Sequence, residues 1–292
     1  MMTESDATSL TSIAYRGGAF RAETRSVPAE RAVAISVGGS THAVMMATPS
    51  ALEDLAIGLV LNERIADGFG EIERIEVVET EMGTDVQLWL TPERAKTYVA
   101  RRRQMTGPVG CGLCGVESLE LASRDLPKVA ERSKPLAPQD ITQAMDRMAG
   151  AQALSRLTRA VHAAAFHRRG ADGATMVVCR EDVGRHNALD KVAGHLARKD
   201  IDAASGFLTI TSRVSVELIQ KAAVMGCSLI AAVSAPTQLA ISEATAAGVT
   251  LVAVTRGDEF EIFTHPERIE GAASALPSAE NPSAGEGRFD AA

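Results

Sequence analysis

Residues 207–255 read FLTITSRVSVELIQKAAVMGCSLIAAVSAPTQLAISEATAAGVTLVAVT. Three strand-length apolar runs stand in this stretch: Phe207 to Thr211, Ser228 to Ser234 and Thr250 to Thr255. Two helix-length segments, Val216 to Met225 and Pro236 to Ala247, separate them. Runs that are apolar throughout, rather than at every second residue, suit strands buried on both faces. Strand and helix in alternation imply a parallel sheet covered by helices. Just upstream, Val161 to Arg168 and Ala174 to Arg180 read as strands around the turn Gly170-Ala171-Asp172-Gly173, and Asn187 to Arg198 reads as a helix. Ile141, Met145 and Met148 mark one face of a helix that starts near Pro138. Residues 136–268 therefore form an α/β domain of three layers, helix, sheet and helix.

A smaller α/β unit precedes it over residues 16–106. Arg31 to Val37 and His42 to Thr48 flank Gly38-Gly39-Ser40 and read as a hairpin. Ser50-Ala51-Leu52-Glu53 has the pattern of a capping box, and Leu52, Leu55, Ala56, Leu59 and Val60 follow at helical spacing. Ile72 to Glu79 and Asp85 to Thr91 add two strands. Residues 107–135 are a Gly-rich loop and linker. Residues 1–15 and 269–292 carry little to bury and read as disordered tails.

The bulk numbers narrow the function classes. The chain has 292 residues, 46% hydrophobic and only 3% aromatic, so its core rests on aliphatic side chains. A net charge of −7 argues against broad nucleic-acid binding. No run of about 18 apolar residues is present, so no membrane span is expected. The polar N-terminus has no signal-peptide pattern. Four cysteines in a chain of this length are no disulfide framework, which points to free thiols in a reducing, cytoplasmic setting.

Ligands of open parallel sheets bind beyond the carboxyl ends of the strands. The residues there are Glu181-Asp182-Val183-Gly184-Arg185-His186-Asn187, then Thr211-Ser212-Arg213, then Ser234-Ala235-Pro236-Thr237, then Arg256-Gly257-Asp258. Three of the four ends present an arginine. The fourth reads as a helix start, with Ser234 as N-cap and Pro236 at the first helical position, which also attracts anions. One edge is thus dressed for an anionic, phosphate-bearing ligand, against the plainer reading of ordinary loop polarity. His162 lies in or near the core and within reach of this edge. His42, His167, His195 and His265 have no evident constellation.

Cys111 and Cys114 sit in Gly107-Pro108-Val109-Gly110-Cys111-Gly112-Leu113-Cys114-Gly115, a loop by its glycine content, just after Arg101-Arg102-Arg103. A structural zinc site needs two more ligands at paired spacing, which the chain lacks. A dithiol redox site prefers the start of a helix in a βαβ pattern. Neighbouring arginines favour thiolate, and a thiolate on a loop can hold sulfur as a persulfide. Sulfur carriage and a redox role remain open side by side. Cys179 and Cys227 fall on or beside apolar strands and read as small buried hydrophobes.

Taken together, Gly110-Cys111-Gly112-Leu113-Cys114-Gly115, Val161-His162-Ala163-Ala164-Ala165, Asp182-Val183-Gly184-Arg185-His186-Asn187-Ala188-Leu189-Asp190-Lys191, Ser212-Arg213-Val214-Ser215 and Val233-Ser234-Ala235-Pro236-Thr237 resemble the FdhD family of formate dehydrogenase accessory proteins. The resemblance runs in order from about residue 15 to 266. It implies a sulfurtransferase that takes persulfide sulfur from a cysteine desulfurase and passes it to the molybdenum cofactor, as bis-molybdopterin guanine dinucleotide, on its way to formate dehydrogenase. It further implies a homodimer and a second unit like the cytidine deaminase fold. Carried over, Cys111 holds the persulfide with Cys114 assisting, and Val254, Thr255, Arg256, Gly257, Asp258 and Glu259 match the cofactor-binding stretch. The expected cofactor contacts beyond it are Asp182, Arg185, His186, Ser212, Arg213, Ser234 and Thr237. The cofactor is a bound substrate, and no permanent metal is expected. Zinc deaminase chemistry needs both His-x-Glu and Pro-Cys-x-x-Cys, and with Val109-Gly110 before Cys111 this chain has no Pro-Cys-x-x-Cys. The rival readings are a cofactor-binding chaperone without catalysis and a dithiol redox protein.

Overall fold

The computed structural model describes residues 6–102, 126–130, 134–171 and 173–275. Cys111 and Cys114 lie outside the described residues. The larger sheet has six strands in the order β12-β11-β10-β9-β7-β8. They are β7 (His162–Arg168), β8 (Thr175–Asp182), β9 (Gly206–Ile210), β10 (Leu229–Ala232), β11 (Thr250–Arg256) and β12 (Glu259–Ile262). β9, β10 and β11 pair in parallel, as the apolar runs require, whereas β7 is antiparallel to both β8 and β9, and β12 to β11.

The period of two along these strands sorts their side chains. Ala164, Phe166, Leu208, Ile210, Ile230, Leu251 and Ala253 pack with helices α5 (Arg185–Arg198), α6 (Val216–Val224) and α7 (Gln238–Ala247). Ala163, Ala165, Phe207, Leu229, Ala231 and Val252 face the other way, onto α3 (Pro138–Ala151). Helices thus cover both faces of the sheet.

The first unit is a four-stranded sheet in the order β4-β3-β6-β5. Its strands are β3 (Arg31–Val37), β4 (Ser40–Ala47), β5 (Ile72–Thr80) and β6 (Gly83–Leu90). Helix α1 (Leu52–Asn62) covers one face with Leu52, Leu55, Ala56, Leu59 and Val60. Sequence reading missed α2 (Pro92–Arg102), whose only buried side chain is Tyr98 and whose apolar pattern is therefore faint, and the short α4 (Ala153–Thr158).

The two units are joined through α1 and α5. Gly58 of α1 lies against the backbone carbonyl of Asp190, and Gly194 of α5 lies against that of Asp54, so a β-carbon at either position would fall on backbone. Ionic contacts surround the crossing. Asp54, nearly buried, accepts from Arg180 at 2.7 Å and from Arg198 at 3.0 Å.

Three local expectations are corrected. Residues 7–15, placed in a disordered tail, belong to β1 (Ala7–Arg16), which pairs with β2 (Ala19–Pro28) across Gly17 and Gly18 at positive φ. Residues 269–275 also belong to the folded body: Ile269 is buried and bridges to Leu136. The capping box does not form. Ala51, at φ 52°, is the N-cap of α1 and no side chain caps it. The chain ahead of the helix is held elsewhere, because the Thr48 N–H donates to Asp182 Oδ2 at 3.2 Å.

Candidate functional site

β8, β9, β10 and β11 all run in one direction, so their carboxyl ends share one edge of the sheet. The loops there are stitched across the strands. Val233 N–H donates to Ile210 O (3.1 Å), Val214 N–H to Ala235 O (3.3 Å) and Thr237 N–H to Val214 O (3.0 Å). The Thr211 hydroxyl accepts from Ala163 N–H at 2.9 Å. This brings Arg185, His186, Ser212, Arg213, Ser234, Thr237 and the segment 254–259 to one rim, with His162 beside them at the start of β7.

The expected ligand contacts divide by exposure. Arg213, Arg256, Gly257, Asp258 and Glu259 are exposed, and Arg185, His186, Ser234, Thr237 and Val254 are half-buried. Several hydroxyls already serve the protein. Thr255 is buried and donates to Ala232 O at 2.9 Å, and Ser212 is buried and donates to Arg213 O at 3.0 Å. Thr237, not Ser234, caps α7: its Oγ1 accepts from Ala240 N–H at 3.3 Å. Val254 has φ 55°, a left-handed conformation unusual for a β-branched residue, and the β11–β12 register shifts there. That kink turns the strand end and sends Thr255 inward to the carbonyl of Ala232.

Asp182 was expected to hold ligand, and the structure gives it another task. Its side chain is 0% exposed and lies 2.6 Å from Lys191 Nζ, which is equally buried. Its Oδ1 accepts from Gly184 N–H (2.8 Å) and Asn187 Nδ2 (2.9 Å). Lys191 Nζ also donates to Thr48 O at 3.0 Å, Asn187 Nδ2 to Met46 O at 2.9 Å, and Val183 N–H to Thr48 Oγ1 at 3.2 Å. The Asp-Val-Gly-Arg-His-Asn turn is thereby bolted to the end of β4 in the first unit. What it presents at the rim is Arg185 and His186, the first two residues of α5.

Burial pushes the His186 imidazole down to about 4, with Lys221 and Arg185 adding to the effect. His162 is lowered too, by burial and then by Arg185. Both rings are therefore neutral near pH 7, and the positive charge at this rim comes from arginine.

His42 was passed over in the sequence, yet the structure builds a cluster around it. Its Nε2 lies 2.7 Å from Glu63 Oε2 and its Nδ1 3.1 Å from the Tyr98 hydroxyl. Burial alone would raise the Glu63 carboxyl, but the bond to His42 and the charges of His42, Lys221 and Arg101 outweigh it and hold it below the ordinary value. Beside it, Lys221 Nζ donates to both oxygens of Asp190 (2.7 and 2.9 Å), and Asn62 Nδ2 donates to Oδ1 (2.6 Å). These polar groups come from α1, α2, β4, α5 and α6, and no spacing in one segment could announce them.

A cavity of about 1060 Å³, lined by Asn62, Phe69, Leu126, Leu196, Ile201 and Met225 among others, opens near the other end of α5. Its lining reaches along α5 as far as Ala193, about 12 Å from Arg185 at 1.5 Å per residue. Among the described residues no three His, Cys, Asp or Glu side chains group as a metal site, and no helix is long and apolar enough to cross a membrane.

Comparison with known proteins accords with this architecture. The chain is 51% identical over 258 residues to the sulfur carrier protein FdhD of Agrobacterium fabrum, covering 88% of this chain and 93% of that one. It is 46% identical over 257 residues to the protein of the same name from Brucella abortus, covering 88% and 94%. A crystal structure described as a formate dehydrogenase accessory protein, from Desulfotalea psychrophila, superposes with a TM-score of 0.71 at 22% identity, covering 90% of this chain and 99% of that one. The FdhD/NarQ family profile matches residues 28–270. On the strength of that match and of these relatives, the chain belongs to the FdhD/NarQ family.

Proposed function

We propose that this protein is a sulfur carrier: it takes sulfur as a persulfide on Cys111, with Cys114 assisting, and delivers it to a molybdenum cofactor destined for formate dehydrogenase. The observation that carries the reading is how the thiols divide. Cys227 is fully buried and burial pushes it up to about 11, while Cys179 is pushed up to about 12 by burial and by Glu181. Neither supplies thiolate at neutral pH, so nucleophilic sulfur chemistry falls to the pair in the Gly-rich segment, Cys111 and Cys114. The names of the relatives point the same way. The rim with Arg185, Arg213 and Arg256 suits the phosphates of a molybdopterin guanine dinucleotide, which is substrate here.

The donor of the sulfur is a cysteine desulfurase, and the protein acts in the cytoplasm as a homodimer. Attack by a second thiol on a persulfide releases the outer sulfur as sulfide and leaves a disulfide, which gives Cys114 a resolving role. Incubation with a cysteine desulfurase and cysteine, followed by intact and peptide mass spectrometry, tests the reading. The expected result is the added mass of one sulfur atom on Cys111 or Cys114, removed by reductant and absent from a Cys111→Ala, Cys114→Ala variant. An unmodified chain beside an active desulfurase would overturn carriage in favour of a chaperone that binds cofactor without transferring sulfur.

A further inference from the structure

At the rim, four buried atoms at the starts of α5 and α6 have no hydrogen-bond partner among the described residues: Arg185 Nε, His186 Nε2, Ser215 Oγ and Glu217 Oε2, with Ser215 close enough to help hold the Glu217 carboxyl below its ordinary value. They are neighbours. His186 Nε2 stands 4.0 Å from Glu217 Oε2, too far for a hydrogen bond. Nor do they form an ion pair at neutral pH, since burial holds the ring, down to about 4, in its neutral form. Leaving such atoms unpaired costs about 1–3 kcal/mol each, and a cluster of them marks where a ligand or ordered water completes the set.

The chemistry of the set selects the ligand group. Arg185 Nε can only donate and the Glu217 carboxylate can only accept. A phosphate placed against Glu217 would meet like charge, so the anionic part of a ligand belongs with the exposed Arg213 and Arg256. The group that fits the corner offers an N–H or O–H to Glu217 and an acceptor to Arg185. A nucleobase edge with N–H beside C=O has this pattern, and so does a sugar hydroxyl.

We infer that Glu217, with Arg185 and His186, is the specificity-determining corner of the rim, taking a hydrogen-bond donor from the nucleoside part of the ligand while the outer arginines take its phosphates. This rests on the reading of the rim as the cofactor site and assigns Glu217, which that reading did not include.

Calorimetric titration of the full-length chain tests it, with guanosine diphosphate and pyrophosphate as probes. Wild type is expected to bind the nucleotide more tightly than pyrophosphate. Glu217→Ala should weaken guanosine diphosphate roughly 10-fold or more, the loss typical of a charged hydrogen bond. Glu217→Gln, which keeps an acceptor, should fall between the two. Pyrophosphate should bind all three proteins alike, or the variants slightly better. The 2′,3′-dideoxy nucleotide tells the sources apart: retained dependence on Glu217 assigns the donor to the base, and lost dependence assigns it to the sugar. Wild-type nucleotide affinity in Glu217→Ala would overturn the corner alone. Failure of wild type to bind either probe would overturn the rim as a nucleotide site, and the corner with it.

Discussion

Lys191 Nζ lies 2.6 Å from Asp182 Oδ2, and neither side chain is exposed to solvent. Two charges without water must satisfy each other, and here every further contact is also supplied, by Thr48, Gly184 and Asn187. Removing one partner leaves the other charge uncompensated. Asp182→Asn and Lys191→Met are each expected to cost about 3–5 kcal/mol. The double variant should cost clearly less than the sum of the two. Urea denaturation of all four proteins, followed by circular dichroism, measures the cycle. Additive losses would mean that the pair does not act as a unit.

His167 gives the stability a pH dependence. It is fully buried in β7, its Nε2 lies 2.9 Å from Thr209 Oγ1, and burial, then Arg147, push it down to about 4. An unfolded-chain histidine titrates near 6.5, so between that pH and 4 the unfolded state takes up a proton that the folded state refuses. The stabilisation is complete above that window and is lost as pH falls through it. From pH 7 to pH 5 this residue alone should remove about 2 kcal/mol. Denaturation curves at the two pH values should show the loss, and His167→Gln should be less sensitive to the change.

At the crossing of α1 and α5, Gly58→Ala and Gly194→Ala each place a methyl group on a backbone carbonyl of the opposite helix. Backbone cannot swing aside as a side chain can. Each is expected to lose about 3 kcal/mol or more and to give a low soluble yield. Gly70→Ala, where no atom lies within 4 Å of an added β-carbon, should melt like the wild type. Thermal melts of the three proteins make the comparison.

Alkylation separates the cysteines. In the native protein at pH 8, iodoacetamide should label Cys111 and Cys114 within minutes. Cys179 and Cys227, pushed up to about 12 and about 11, should stay unlabelled until denaturant is added. Peptide mapping against time reads this directly, and early labelling of Cys227 would mean that its strand end opens readily.

The three parallel strands β9, β10 and β11 were legible because they are apolar on both faces, whereas β12, half exposed along its length, was not read as a strand. Elements with little to bury were not legible. β1 carries Thr8, Ser9, Thr11 and Ser12, and its exposed Ile13 and Tyr15, with Phe20 of β2, fill no core, so only Gly17-Gly18 signalled the hairpin. At the rim, Arg213 and Arg256 were visible because each stands at or just past the end of a strand. Asp182 was found, but its role was not, since nothing near it in sequence reveals that Thr48 and Met46 lie across from it. Glu217 escaped notice because it stands inside a helix, where a carboxylate in the first turn is ordinary. His42 was dismissed because Glu63 and Tyr98 reach it from two other elements.

The close fit of Gly58 and Gly194 has a further bearing on how such a chain can change. The stretch of chain between α2 and α3 is the obvious place to exchange one half for a relative's. Yet each glycine answers a carbonyl in the opposite half, and Asp54 is neutralised by Arg180 and Arg198 from the far side. A chimera joined there would pair helices that had not been fitted to each other. The two halves are therefore expected to be inherited together and to melt in a single transition, as one cooperative body with two sheets.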